Sequence, residues 1–333
     1  MNSMRHTITS ATVKTKYLCA LGTLFLTVLV GTSLFVGKYP LSLEKLLAGD
    51  ALQWRVFLTL RVSRTLVGLI GGIAFGIAGF VYQTVFRNPL ASPDIIGVSS
   101  GASAGAAVGI LFLSGAAAVT ISAFAGALAA VVLSLTLSSL DRSGKNGTIV
   151  LAGIAVHAIA QTVLMGLKLT ADPEKELASI EYWIMGSLNG ISAYSIGGNL
   201  ILCVLCVGCL MVLHRQIILL SAEEGEARML GVNVTVLRVI VLIVATLAVS
   251  AVVSLTGLIS FVGLLAPHAA RMLTKNNRLS TLTLSGIFGG ILLCGADILA
   301  RSAAATELPV SIFTSLLGAP FLIFLIVRGR RQL

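Results

Sequence analysis

Charge is what this sequence has least of. Only 11% of its 333 residues are Asp, Glu, Lys or Arg, under half of the ~25% a water-facing globular chain carries. That shortage excludes a soluble cytosolic enzyme, a nucleic-acid binder and a disordered chain. Acids are scarcer than bases, 13 against 23, and Asp297 is the only one well inside an apolar stretch. Ion-coupled carriers depend on intramembrane carboxylates, so this scarcity argues against a proton or sodium pump. Cysteine is also sparse, at five residues, all within apolar runs, which leaves no disulfide framework. Cys203, Cys206 and Cys209 imitate a C-x-x-C-x-x-C cluster motif, but no nearby His, Asp or fourth Cys completes a site. A Walker motif is missing as well. In Gly31–Lys38, Thr32 stands where the first Gly is required and Tyr39 follows the Lys, and Ser143-Gly144-Lys145-Asn146 fails too. Any ATP dependence must come from a partner.

Apolar residues are what the chain has instead. They make up 56% of it, and mean hydropathy is +1.00. A helix crossing a ~30 Å hydrocarbon core needs roughly 20 apolar residues. Ten such stretches are present, at about 17–36, 61–82, 95–112, 116–138, 148–168, 192–213, 236–255, 257–273, 281–302 and 310–327. Strand-period alternation is absent, which argues against a barrel. The expected fold is therefore all-α, a polytopic membrane protein of about ten transmembrane helices. The first stretch follows Arg5, Lys14 and Lys16 like a signal peptide, but has no small-x-small cleavage site and is expected to stay as an anchor.

With both termini in the cytoplasm, fifteen of the 23 Lys and Arg fall in cytoplasmic segments and eight outside, which follows the positive-inside tendency. The net charge of +10 is then an orientation signal and calls for no nucleic acid. Gly97, Gly101, Gly105 and Gly109 recur every four residues, as do Gly68, Gly72 and Gly76, so each set lines one helix face and invites close helix approach.

Polar residues within the spans carry two readings each. His157 and Gln161, one turn apart, form either a packed hydrogen-bonded pair or part of a polar path. His268 beside Arg271 lacks the co-ligands of a metal site, so no metal is expected. In the cytoplasmic stretch 214–238, Ser221 followed by Glu223, Glu224 and Glu226 reads as an N-cap and acidic first turn, and Gly231 as its end. Such a helix is either a solvated connector or a docking element for a soluble partner. Outside, Tyr182 and Trp183 in 172–189 belong either to the headgroup interface or to a re-entrant helix lining an outer vestibule.

Seven or more segments in fixed order then make the chain resemble the FecCD family. They include Leu60-Arg61-Val62-Ser63-Arg64, Arg87-Asn88-Pro89-Leu90-Ala91-Ser92-Pro93-Asp94 and Trp183-Ile184-Met185-Gly186-Ser187. Gly225-Glu226-Ala227 follows, then Ser260-Phe261-Val262-Gly263-Leu264-Leu265-Ala266-Pro267-His268, Ala296-Asp297 through Arg301, Glu307-Leu308-Pro309 and Leu317-Gly318-Ala319-Pro320. The resemblance covers roughly 55–328.

It implies a type II ATP-binding-cassette (ABC) importer permease for iron–siderophore, with cobalamin or haem as alternatives. It further implies residues 1–333 as one transmembrane domain, working beside a second permease, two ATPase subunits and an extracytoplasmic binding protein. No cofactor would be bound by this chain, and ATP and Mg would act on the partner ATPase. The setting implied is a bacterial cytoplasmic membrane. Residues matching family sites are Arg61, Arg64 and Arg301 for binding-protein docking, with Asp297 a competing partner for Arg301. Glu223, Glu224, Glu226, Ala227, Leu230 and Gly231 match the ATPase-coupling helix. Asn88, Leu90, Asn146 and Gly147 match the cytoplasmic gate.

Overall fold

A backbone in hydrocarbon must satisfy its own amides, and in the computed structural model each of the ten apolar stretches forms a helix. The structure describes the chain apart from residues 1, 141–145, 192, 194–195, 222–228, 230–232, 305 and 330–333. Side chains are further undescribed at 2–14, 146–147, 325–326 and 328–329. In chain order the helices are α1 (Asn2–Phe35), α2 (Leu43–Leu47), α3 (Ala51–Val56), α4 (Ser63–Val85), α5 (Val98–Phe112), α6 (Ala116–Ser139) and α7 (Asn146–Thr170). Then follow α8 (Glu176–Met185), α9 (Gly197–Val212), α10 (His214–Leu219), α11 (Val234–Thr256), α12 (Val262–Thr274), α13 (Leu279–Ser302) and α14 (Val310–Gly329). The ten spans are α1, α4, α5, α6, α7, α9, α11, α12, α13 and α14.

The axis of the bundle is α4, nearly all of which is buried. It can be approached so closely because of its glycines. A Cβ on Gly72 would collide with the Gly289 carbonyl of α13, one on Gly76 with the Ser285 carbonyl, and one on Gly79 with the Gly263 carbonyl of α12. The second glycine stripe does the same for α5 and α6, with Gly101 against Gly126 and Gly105 against Ser122. In lipid, apolar surface gives no net drive for helix association, so backbone proximity and dispersion do that work.

Three local features depart from regular helix. A π turn, Phe57–Val62, leads into α4 and carries Arg61; such turns often mark functional sites. The 3₁₀ turn Pro93–Ile96 packs against α7, where a Cβ on Gly153 would meet the Ile95 carbonyl. Between α11 and α12 the helix breaks over 257–261, with Gly257 at φ 70° and Phe261 at φ 68°. A bulky residue in the left-handed region is strained by about 1–3 kcal/mol.

The outer segment holding Tyr182 and Trp183 forms the short helix α8, and both residues line an outer cavity. Leu188, just past α8, reaches the Gly68 face of α4, which lies roughly 10 Å along the helix from Arg61 at 1.5 Å per residue. Ser221 donates back to the Ile218 carbonyl at 2.6 Å, and the acidic turn expected after it lies outside the described residues. One sequence reading is corrected, that of a His157–Gln161 pair. His157 lies on an exposed face of α7 and makes no pair with Gln161 among the described hydrogen bonds. Cys203 and Cys206 are buried free thiols and Cys209 is exposed, in keeping with plain helix residues.

Candidate functional site

At the outer end, the chain gathers its scarce charges. The Arg64 Nε donates to Asp297 Oδ1 at 2.9 Å, and its NH2 lies 2.8 Å from the same oxygen. Its NH1 donates to Glu307 Oε2 at 2.7 Å. The other Asp297 oxygen receives Arg301 NH2 at 2.8 Å, one turn further along α13. Arg301 also donates to the Ser33 carbonyl at 3.0 Å, the Ser33 hydroxyl at 2.6 Å and the Val36 carbonyl at 2.8 Å. Arg61 donates to the Val36 and Tyr39 carbonyls at 2.6 and 2.8 Å. Carbonyls at a helix C-terminus lack intrahelical donors, so the Arg301 and Arg61 guanidinium groups finish α1, and Asp297 pairs with Arg301. Gly37 is required beside them, because a Cβ there would occupy the place of the Arg61 guanidinium.

The three arginines expected to face a docking partner are therefore brought together, but not equally presented. Arg301 and Asp297 are each 1% exposed, so Arg301 is sealed beneath the surface by the Asp297 pairing. Arg61 and Arg64 line an outward cavity of about 180 Å³ together with Lys38, Tyr39, Asn189 and Glu307. Among the described residues no carboxylate pairs with Arg61, whose hydrogen bonds go to the Val36 and Tyr39 carbonyls. Glu307 belonged to a recognisable motif, yet nothing in its local sequence pairs it with Arg64, 243 positions away.

The inner end has its own guanidinium clamp. Arg271 of α12 donates to Gln83, to Thr84 Oγ1 at 2.8 Å and to the Phe80 carbonyl at 3.3 Å, all on α4. It also donates to Asn277 at 2.8 Å and lies 4.6 Å over the Phe80 ring. Gln83 in turn donates to the Leu264 carbonyl at 3.1 Å. The planar fork makes these bonds simultaneously, which an ammonium cannot. Arg271→Lys is expected to keep the charge and lose roughly 2–3 kcal/mol of stability. A melting curve of the purified membrane protein that matches the parent would refute this role. Neighbouring His268 packs edge-on against Phe321, with centroids 5.9 Å apart.

Nearby, Asn88 and Leu90 follow α4 in an exposed turn, in which Leu90 N donates to Asn88 Oδ1 at 2.9 Å. Asn146 and Gly147 begin α7, roughly two turns below the Gly153–Ile95 contact. The six predicted coupling residues, Glu223, Glu224, Glu226, Ala227, Leu230 and Gly231, lie outside the described residues.

Two cavities border the α11–α12 break. An outer vestibule of about 830 Å³ is lined by Thr120, Tyr182, Trp183, Ser187, Asn189 and Thr256, among others. A second cavity of about 250 Å³ lies beside Ser92, Asp94, Ser260 and Phe261. The chain passes from one lining to the other through Leu258.

A spanning bundle with charge clamps at both ends and cavities bordering a broken helix pair is a permease. The chain belongs to the FecCD transport family, whose model matches residues 24–328, and is the permease subunit of an ABC importer. It works with ATPase and binding-protein partners and is not itself an enzyme. A cobalamin import permease, BtuC of Halobacterium salinarum, is 37% identical over 80% of this chain and 72% of its own. The hemin permease HmuU of Yersinia pestis is 34% identical over 84% and 85%. A solved inward-facing ABC transporter of metal-chelate type superposes with a TM-score of 0.85 at 30% identity, over 94% of this chain and 99% of that one.

Proposed function

We propose that this permease imports a ferric siderophore across a bacterial cytoplasmic membrane. The observation that carries the cargo reading is the lining of the outer vestibule. Thr120, Ser187 and Asn189 place a few polar groups there and Tyr182 and Trp183 two aromatic rings, among a lining that is otherwise largely apolar. A wide cleft with a largely apolar lining and a few polar groups suits a bulky chelate that carries both kinds of surface. Cobalamin is the second reading, because the relative in Halobacterium is named for it; haem follows, on the Yersinia relative.

In this reading the whole chain is one transmembrane domain with both termini in the cytoplasm, paired with a second permease and two ATPase subunits. The segment 214–238, with Glu223, Glu224, Glu226, Ala227, Leu230 and Gly231, couples to the ATPase. Asn88, Leu90, Asn146 and Gly147 form the cytoplasmic gate. The binding protein docks at the mouth lined by Arg61 and Arg64, with Arg301 acting from beneath through Asp297. The cluster holds three guanidinium groups against two carboxylates, so an uncompensated positive charge remains for an acidic partner.

Two measurements test this. In proteoliposomes containing the permease pair, its ATPase and its binding protein, ⁵⁵Fe-labelled ferric hydroxamate is expected to accumulate only with ATP. Uptake on a proton or sodium gradient alone would favour a secondary transporter, and ATP-driven uptake of cobalamin in its place would favour the second cargo. Separately, Arg61→Gln is expected to weaken binding-protein docking about tenfold and reduce its salt dependence. Unchanged docking would remove Arg61 from the docking surface.

A further inference from the structure

Of the two carboxylates on Arg64, only one is within reach of solvent. The Asp297 side chain is 2% exposed and lies on a helix, whereas that of Glu307 is 19% exposed and lies on the connection between α13 and α14. An acidic side chain arriving at the outer cavity meets Arg64 with NH1 already occupied by Glu307. A guanidinium edge that accepts one carboxylate bidentately has no room for both, so the newcomer and Glu307 compete for it.

The release of Glu307 would not stay local. Three residues later, Val310 N donates to the Gly186 carbonyl at 3.1 Å, tying the start of α14 to the end of α8. The next residue, Ser311, donates from its hydroxyl to the Leu258 carbonyl at 2.6 Å, a group at the helix break with no helical partner. Ser187 N, beside Gly186, donates to the Thr256 carbonyl at 2.7 Å. Two turns further along α14, Gly318 lies against the Phe261 ring so closely that a Cβ would collide with it. The same α14 surface therefore holds the break at both of its ends, between the residues lining the outer vestibule and those lining the inner cavity. The strained backbone of Phe261 persists only while its surroundings impose it.

We propose that Glu307 is a latch: a carboxylate of the docked binding protein replaces it on Arg64, and the freed connection lets α14 withdraw from the α11–α12 break, joining the two cavities. This rests on the docking reading above, and extends it from where the partner sits to what its arrival releases.

The test uses the intact permease pair with its ATPase in proteoliposomes, the five native cysteines replaced and Ser260→Cys introduced. Glu307→Gln is expected to dock the binding protein about tenfold tighter, because the competitor is gone. Without any binding protein it is also expected to raise labelling of the introduced thiol by a membrane-impermeant maleimide applied outside, at least threefold. A merely structural defect would weaken docking. Ser311→Ala, remote from the arginines, is expected to raise the same labelling while docking stays at the parental affinity. Docking that is unchanged or weaker in Glu307→Gln overturns the exchange on Arg64. Parental labelling in both variants overturns the transmission to the break. The labelling requires no binding protein, so its outcome is separate from that of Arg61→Gln, which alone decides whether docking occurs at this mouth.

Discussion

Asp297→Ala is expected to abolish recovery of the folded permease from membranes. The carboxylate sits between Arg64 and Arg301 with one oxygen on each, and all three groups are buried. Removing it leaves two guanidinium groups facing each other in a medium where charge is poorly solvated. Breaking a buried pair from one side costs about 3–5 kcal/mol, and here two pairs break at once, against a total stability of roughly 5–15 kcal/mol for a typical protein. The damage would extend to α1, since Arg301 holds Ser33 and Val36 at its end. Asp297→Asn keeps the shape and some hydrogen bonding while losing the charge, so an intermediate defect is expected. Fluorescence-detected gel filtration after a heating series reads both. A midpoint for Asp297→Ala within about 2 °C of the parent would mean that the arginines are neutralised elsewhere.

The second large effect is expected from single methyl groups on α4. Gly72→Ala and Gly76→Ala each place a Cβ onto a carbonyl of α13, a backbone atom that cannot rotate away. Relief requires the two helices to separate along their whole crossing, taking Arg64 away from Asp297 and opening the core around Leu282 and Leu293. Overpacking typically costs 1–3 kcal/mol; displacement of a backbone along a crossing belongs at or above the top of that range. Gly295→Ala on α13 is the control, because nothing lies within 4 Å of its added Cβ. It is expected to be neutral or to gain up to about 1 kcal/mol from helix propensity. The contrast is read in the same heating series. Equal midpoints for Gly76→Ala and Gly295→Ala would show that the α4–α13 contact is looser than its geometry indicates.

Much of the site was legible because it is local. Asp297 and Arg301 are spaced i, i+4 in one helix, so their pairing could be anticipated, and the structure shows that pair, with Arg301 buried. Glu307 could not be placed in the same way, because its partner is on α4 and only packing of the last third of the chain against the first brings them together. The Arg271 clamp was missed for the same reason: Gln83, Thr84 and Phe80 form one face of α4, but nothing in their own sequence points to an arginine nearly 190 positions away. The aromatic segment with Tyr182 and Trp183 allowed two readings, since a ten-residue amphipathic helix is compatible with the headgroup layer and with a vestibule. In the structure both rings line the outer cavity, a neighbourhood that only the packing of distant segments supplies.

What the sequence by itself determined is the solvent and the number of crossings. Each stretch of about 20 apolar residues must close its own hydrogen bonds in hydrocarbon, and that condition is satisfied helix by helix without reference to any neighbour. The family could be read for a similar reason, as a fixed order of short motifs. Tertiary structure alone decided which of the few charges face outward and which hold the bundle together. An arginine in a low-dielectric setting takes whichever carboxylate or carbonyl the fold brings within 3 Å, and helix packing brings those groups from spans distant in the chain. Of the three outer arginines expected to greet a partner, that packing leaves Arg61 and Arg64, 6% and 8% exposed, at the lining of an outer cavity and closes Arg301 over Asp297.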